Sequence, residues 1–208
     1  SGKKCTTGIK TAEKTEKIES EVVLLAVGIS PNTENIGIEN LGILTERGFI
    51  KVDEFYQTNV GNVYAIGDII ATPALAHVAS AEGIACVEKI AGIDIKPLNY
   101  NQIPSGIFTE PEVGSVGLTE KQAIEAGYEL KIGKFPMSAL GKATAIGERN
   151  GFVKLIFNKA DDKLLGAHIV GHSATDMIAE LVVAMKTGAT SKQILHSVHP
   201  HPTISEGI

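Results

Sequence analysis

The sequence predicts an α+β domain, an antiparallel sheet with helices, preceded by partial α/β pieces. Three observations carry that expectation. Residues 99–208 alternate short strand signals with two capped helical patterns, the arrangement of a sheet with helices laid against it. Within them Asn150-Gly151 is the strongest short hairpin signal in the chain. Residues 22–27, by contrast, form an unbroken apolar run, Val-Val-Leu-Leu-Ala-Val, of the kind buried on both faces of a parallel sheet.

Taken in order, residues 4–10 and 15–19 predict two strands joined by a polar turn rich in Lys and Glu. The apolar run that follows ends at Gly28-Ile29-Ser30-Pro31-Asn32. A glycine there either admits a ligand close to the backbone or makes a simple exit turn. Residues 34–41 predict a short helical segment, followed by the segment 48–52 and a polar turn at 58–62. Residues 63–66 predict a four-residue buried strand ending at Gly67-Asp68, before Pro73 and a helix from Ala74 to Ile90. Asp68 has two readings, an acceptor for sugar hydroxyls or an acceptor for nearby turn amides. In the helix, Val78, Ile84, Val87 and Ile90 are expected in the core, with Cys86 buried.

Residues 92–100 make a linker. Strands are expected at 102–108 and 112–116 around the turn Thr109-Glu110-Pro111. Thr119-x-x-Gln122 opens a helix running to Ala126, with Gly127 as its stop. A strand at 130–135 precedes a hairpin of 143–148 with 152–157, and a strand at 163–170 follows the turn at 160–162. A helix from 174 to 187 carries Ile178, Leu181, Val182 and Met185 on one face and ends at Gly188. Ser191 is expected to cap a last short helix.

Composition narrows the function. A net charge of −5 without a basic cluster argues against binding a phosphate backbone, so no nucleic acid is expected. The longest apolar runs are too short to span a bilayer, and no signal-peptide pattern opens the chain. Cys5 and Cys86 lack CxxC or metal spacing and read as reduced thiols. The chain starts without Met and stops one turn into its final helix, so a fragment of a longer protein is expected.

The richest stretch is the octet His199-Pro200-His201-Pro202-Thr203-Ile204-Ser205-Glu206. Each proline pushes its predecessor out of the α region, and alternation along the extended segment turns both imidazoles toward one side. Thr203 would cap a helix whose first turn holds Glu206, five residues after His201. Two readings follow. Glu206 grips His201 and makes it a general base of fixed tautomer, or Glu206 only answers the Thr203 amide in a capping box. His199 and His201 have no third ligand nearby, so no metal site is expected.

The octet resembles the active-site signature of the flavin-dependent disulfide reductases, in the His-x-His-Pro-Thr-x-Ser-Glu form of the dihydrolipoyl dehydrogenases. Val63-Tyr64-Ala65-Ile66-Gly67-Asp68 followed by Ala74-Leu75-Ala76-His77 resembles the second flavin signature of the same family. The strand before Gly28-x-x-Pro-Asn resembles the close of its nicotinamide-nucleotide domain, though Ile29 stands where the family often has Arg. Phe108-Thr109-Glu110-Pro111-Glu112-Val113 resembles the start of its interface domain.

That resemblance implies an interface or dimerisation domain at 99–208, its last helix cut short. Before it would lie a returning piece of the FAD domain at 60–98 and the end of the NAD-binding and central region at 1–59. It implies His201 as base and Glu206 as its orienting acid, working on the flavin and redox disulfide of the other subunit of a homodimer. It implies FAD held by Gly67, Asp68 and the segment Ala74, Leu75, Ala76 and His77, and NAD touched by Gly28. The activity implied for the parent is oxidation of protein-bound dihydrolipoamide by NAD. The partners implied are the lipoyl domains of 2-oxo acid dehydrogenase or glycine cleavage complexes, in a bacterial cytoplasm or alternatively a mitochondrial matrix. A glutathione reductase-like enzyme and a non-catalytic dimerisation module are the rivals. The sequence has no Gly-x-Gly-x-x-Gly and no Cys-x4-Cys, so these 208 residues alone are expected to be inactive and not to retain flavin.

Overall fold

The computed structural model describes residues 4–208, which divide into two units, one running to Asp94 and one spanning Ile95–Ile208. Each is described by itself.

The second unit is a five-stranded antiparallel sheet in the order β5-β6-β9-β8-β7. The strands are β5 (Ser105–Ile107), β6 (Glu112–Gly117), β7 (Leu130–Pro136), β8 (Phe152–Asn158) and β9 (Leu164–Gly171). Along β8 and β9 the residues Val153, Leu155, Ala167 and Ile169 are buried, the period of two that puts one face of a sheet into a core. The long helix α4 (Ala174–Thr187) covers that face across β6 and β9. Ala174, Met177, Ile178, Leu181 and Met185 go into the core, with Val182 beside them. Gly114 lets the helix approach the sheet, since a Cβ at that position would stand 2.3 Å from the Ala174 carbonyl oxygen. A carboxylate closes the start of this helix from the sheet, because Glu112 accepts from Thr175 N–H at 3.0 Å and from its hydroxyl at 2.7 Å. Those bonds hold the Glu112 carboxyl below its ordinary value.

The expected helix at 120–126 is present as α2 (Glu120–Glu125), with the Thr119–Gln122 capping box formed and Gly127 in the left-handed region. The expected hairpin of 143–148 with 152–157 does not form. Residues 137–139 make a 3-10 turn and α3 (Gly141–Ile146) follows, placing Met137, Leu140 and Ala143 in the core at helical spacing. Gly151 takes a positive φ, but no turn forms there, and β8 pairs with β7 and β9 instead. The short helix α5 (Ser191–Leu195) is capped by Thr190, not by Ser191. Thr190 has Gln193 three residues on to complete a capping box, whereas Ser191 would have only Ile194.

The first unit carries the hairpin of β1 (Cys5–Lys10) and β2 (Thr15–Ser20), a small pair of β3 (Thr45–Glu46) and β4 (Phe49–Ile50), and α1 (Ala76–Ile90). Residues 22–27 are not a buried strand. They form no ladder with any described strand, and Val22 and Leu24 are 81% and 87% exposed. An apolar run becomes a sheet's central strand only when neighbours pair with its edges and helices cover its faces, and the described residues supply neither. Residues 34–41 form turns rather than a helix, because Asn35 and Gly37 take positive φ, which a right-handed helix cannot propagate. Residues 63–66 contribute only an isolated bridge from Tyr64 to Gln57. On α1 the core face is Val78, Glu82, Ala85 and Cys86, while Ile84, Val87 and Ile90 are exposed. The buried set follows the i, i+4, i+7, i+8 stripe of a helix; the three large aliphatic residues lie off it.

Candidate active site

The octet is anchored from both ends. Before it, Asp162 in the turn between β8 and β9 accepts from Lys131 Nζ at 2.8 Å and from Ser191 Oγ at 2.7–2.8 Å. These bonds fix the start of α5 and hold the Asp162 carboxyl down at about 2. Inside the octet, Ile204 is buried in the same core as Leu155 and Leu181. The Thr203 hydroxyl donates back to the Pro200 carbonyl at 2.8 Å. The expected Thr203 cap is therefore not made. A single 3-10 turn, Ser205–Gly207, follows Ile204 and brings Glu206 back toward His201.

Glu206 makes both of the contacts its spacing allows. One oxygen lies 2.8 Å from His201 Nδ1 and the other accepts from Thr203 N–H at 2.9 Å. The Thr203 amide first, then the His201 ring, lower the Glu206 pKa against a smaller opposing effect of burial. An ionised carboxylate only accepts hydrogen bonds, so Nδ1 carries the proton and Nε2 of the neutral ring keeps its lone pair. The Glu206 side chain is 27% exposed and that of His201 is 76% exposed. The arrangement is an imidazole held at one nitrogen on a side chain that stays largely exposed, a geometry able to act as a base.

His199 has a different partner. Its Nε2 lies 2.7 Å from Glu180 Oε1 on α4, and its side chain is only 16% exposed. The two rings thus serve different carboxylates, and Glu180 is a residue that spacing did not single out. A hollow of about 390 Å³ adjoins the site, lined by Phe135, Val153, Leu155, Ile194, His199 and Glu206 among others.

The first unit holds the other candidate residues. Gly67 is buried at φ +72° and begins a 3-10 turn, with Asp68 exposed in it. The helix that follows begins at Ala76, two residues later than expected, with Leu75 in the cap position offering no side-chain bond. Ala74, Ala76 and His77 are exposed and Leu75 half-buried. The Thr72 hydroxyl is buried without a hydrogen-bond partner. Gly28 is exposed at φ +95°, with nothing within 4 Å of the place a Cβ would occupy. Sequence reasoning missed Glu82, although its position four residues after Val78 puts it on the buried stripe.

Comparison with known proteins converges on one class. Residues 103–208 match the family model described as "Pyridine nucleotide-disulphide oxidoreductase, dimerisation domain", and residues 2–83 match "Pyridine nucleotide-disulphide oxidoreductase". The chain belongs to the pyridine nucleotide-disulphide oxidoreductases. Within them it is 44% identical over 203 residues to a dihydrolipoyl dehydrogenase of Rhizobium etli, covering 97% of this chain and 42% of that protein. It is 46% identical over 194 residues to the mitochondrial dihydrolipoyl dehydrogenase of Canis lupus familiaris, covering 93% of this chain and 38% of that protein. It thus spans less than half the length of these relatives. Among solved structures, LpdA from Mycobacterium tuberculosis superimposes with a TM-score of 0.88 at 22% identity, covering 97% of this chain and 46% of that one. The flavoprotein disulfide reductase RclA from Escherichia coli gives 0.85 at 24% identity, covering 96% and 46%. These two likenesses concern the fold. Among the described residues no helix is long and apolar enough to cross a membrane.

Proposed function

We propose that the whole protein to which these residues belong is a dihydrolipoyl dehydrogenase, and that His201 and Glu206 are its base pair. The observation that carries this reading is the 2.8 Å contact of Glu206 with His201 Nδ1 beside an open Nε2. A dithiol is a poor nucleophile until it loses a proton, because its unperturbed pKa lies above neutrality. His201 Nε2 takes that proton from a substrate S–H, leaving the thiolate that attacks a disulfide sulfur. Glu206 stabilises the imidazolium that forms and keeps the ring aimed, while Ile204 holds the segment against the core.

The residues of the Gly67–His77 segment fit a flavin. Asp68 presents a carboxylate to solvent where ribityl hydroxyls would donate, and the start of α1 has no side-chain cap. The orphaned Thr72 hydroxyl lies in the same stretch. FAD, when bound, would accept the electron pair of the dithiol and relay it to NAD. Gly67, Asp68, Ala74, Leu75, Ala76 and His77 would hold FAD, and Gly28 would lie against NAD.

The pair would serve the partner subunit of a homodimer, a reading supported by the dimerisation-domain match across residues 103–208. The substrate would be dihydrolipoamide carried by lipoyl domains of 2-oxo acid dehydrogenase or glycine cleavage complexes. The compartment follows the organism, since relatives of this kind include bacterial proteins and a mitochondrial one. The domain division 1–59, 60–98 and 99–208 belongs to the same proposal. Assaying the whole protein with dihydrolipoamide and NAD, and separately with glutathione disulfide and a reduced nicotinamide nucleotide, tests it. Turnover of dihydrolipoamide alone is expected; turnover of glutathione disulfide alone would replace the reading with its rival.

A further inference from the structure

Glu82 is 0% exposed, on the inner face of a helix whose other buried residues are Val78, Ala85 and Cys86. A carboxylate in such a place is costly unless its oxygens are hydrogen-bonded. One of them accepts from Gly67 N–H at 2.7 Å. That amide is the one immediately before Asp68. The surrounding contacts are equally close. A Cβ on Gly67 would stand 3.2 Å from Ala79 Cβ, and one on Gly83 would stand 3.2 Å from Ile66 Cδ1. Residues 66–67 are thus pressed onto one turn of α1, and the left-handed φ of Gly67 goes with an amide bonded into the helix face instead of a strand ladder.

We propose that Glu82 is a positioning residue for the flavin site: it holds the Gly67 amide so that the following Asp68 carboxylate stands ready for the ribityl hydroxyls. This rests on the flavin reading of Asp68 given above. Glu82 acts through the backbone and does not touch the cofactor. Its contribution therefore exists only while Asp68 is there to be positioned.

The test is a double-mutant cycle in the whole protein, reading FAD dissociation by flavin fluorescence alongside the melting of the apoprotein. Asp68→Ala is expected to weaken FAD by about 10- to 100-fold, the range for a lost bond to a charged group. Glu82→Met, which keeps the volume and removes the acceptor, is expected to weaken FAD by about 10-fold. Glu82→Gln, which keeps an acceptor oxygen, should recover most of that loss. The Asp68→Ala/Glu82→Met variant should bind FAD no more weakly than Asp68→Ala, a non-additivity that a merely structural role would not produce. Where Glu82→Met fails to fold, Glu82→Asp, which withdraws the carboxylate by one methylene, replaces it in the same cycle. Multiplicative losses in the double variant, or unchanged affinity in Glu82→Met, would overturn the role of Glu82 alone. Unchanged affinity in Asp68→Ala would overturn the flavin reading and this inference together.

Discussion

At the residue scale the proposed chemistry depends on a division of labour within one carboxylate. Glu206 spends one oxygen on the Thr203 amide and the other on His201, so one group both ties the backbone of the segment and holds the proposed base. Replacing it with Gln keeps one acceptor and loses the charge that steadies an imidazolium. In the whole protein, Glu206→Gln should lower kcat about 10- to 100-fold, at the low end of what a positioned base contributes, with KM nearly unchanged. Unaltered kcat in steady-state assays would count against the role. The lowered pKa of Glu206 also has a sign. A carboxyl whose folded pKa is depressed adds stability that is complete above its unfolded value and fades as pH falls through the folded one. The stability gap between wild type and Glu206→Gln, from urea melts, should therefore close as the pH drops below the ordinary glutamate range. A gap that persisted at the most acidic pH would contradict this.

At the element scale, the site depends on two anchors outside the histidines. Asp162 joins β7, the turn before β9 and the start of α5, and its bonds to Lys131 and Ser191 hold its carboxyl down to about 2 from an ordinary 3.8. Asp162→Asn should destabilise the chain near neutrality, and the difference should vanish as the pH is lowered from about 4 to about 2; calorimetry at several pH values reads it directly. Ile204→Ala should cost about 2–4 kcal/mol by chemical denaturation, the usual range for a truncated core aliphatic. Elements with local signals were legible in the sequence: the Thr119 box, the Gly127 and Gly188 stops and the β1–β2 hairpin each depend on neighbours within a few residues. The 137–146 segment was not, because its helical turns are set by packing Met137, Leu140 and Ala143 into a core built from distant strands, which the local Asn150-Gly151 signal does not report. Ser191 was mistaken for a cap for a similar reason. Its actual partners, Lys131 and Asp162, lie 60 and 29 residues away. In the octet, the spacing of His201 and Glu206 left open which group the carboxylate meets, and it meets both His201 and the Thr203 amide.

At the scale of the whole molecule, the exposed run at 22–27 illustrates why composition alone cannot place a strand. Its β-branched, apolar character suits a sheet interior, yet burial requires partners that other segments must supply. The same logic applies to the proposed function, for which these residues supply the His201–Glu206 contact. Sedimentation equilibrium of the whole protein should give a homodimer, and a monomer with full activity would refute catalysis across subunits. The most direct test of the central claim compares two activities of the whole protein carrying His201→Gln. One is dihydrolipoamide oxidation by NAD, and the other is NADH-driven reduction of an artificial electron acceptor, which requires no proton from a dithiol. The account predicts a loss of about 10²- to 10⁴-fold in the first with the second preserved; full dihydrolipoamide turnover, or equal loss of both, would contradict it.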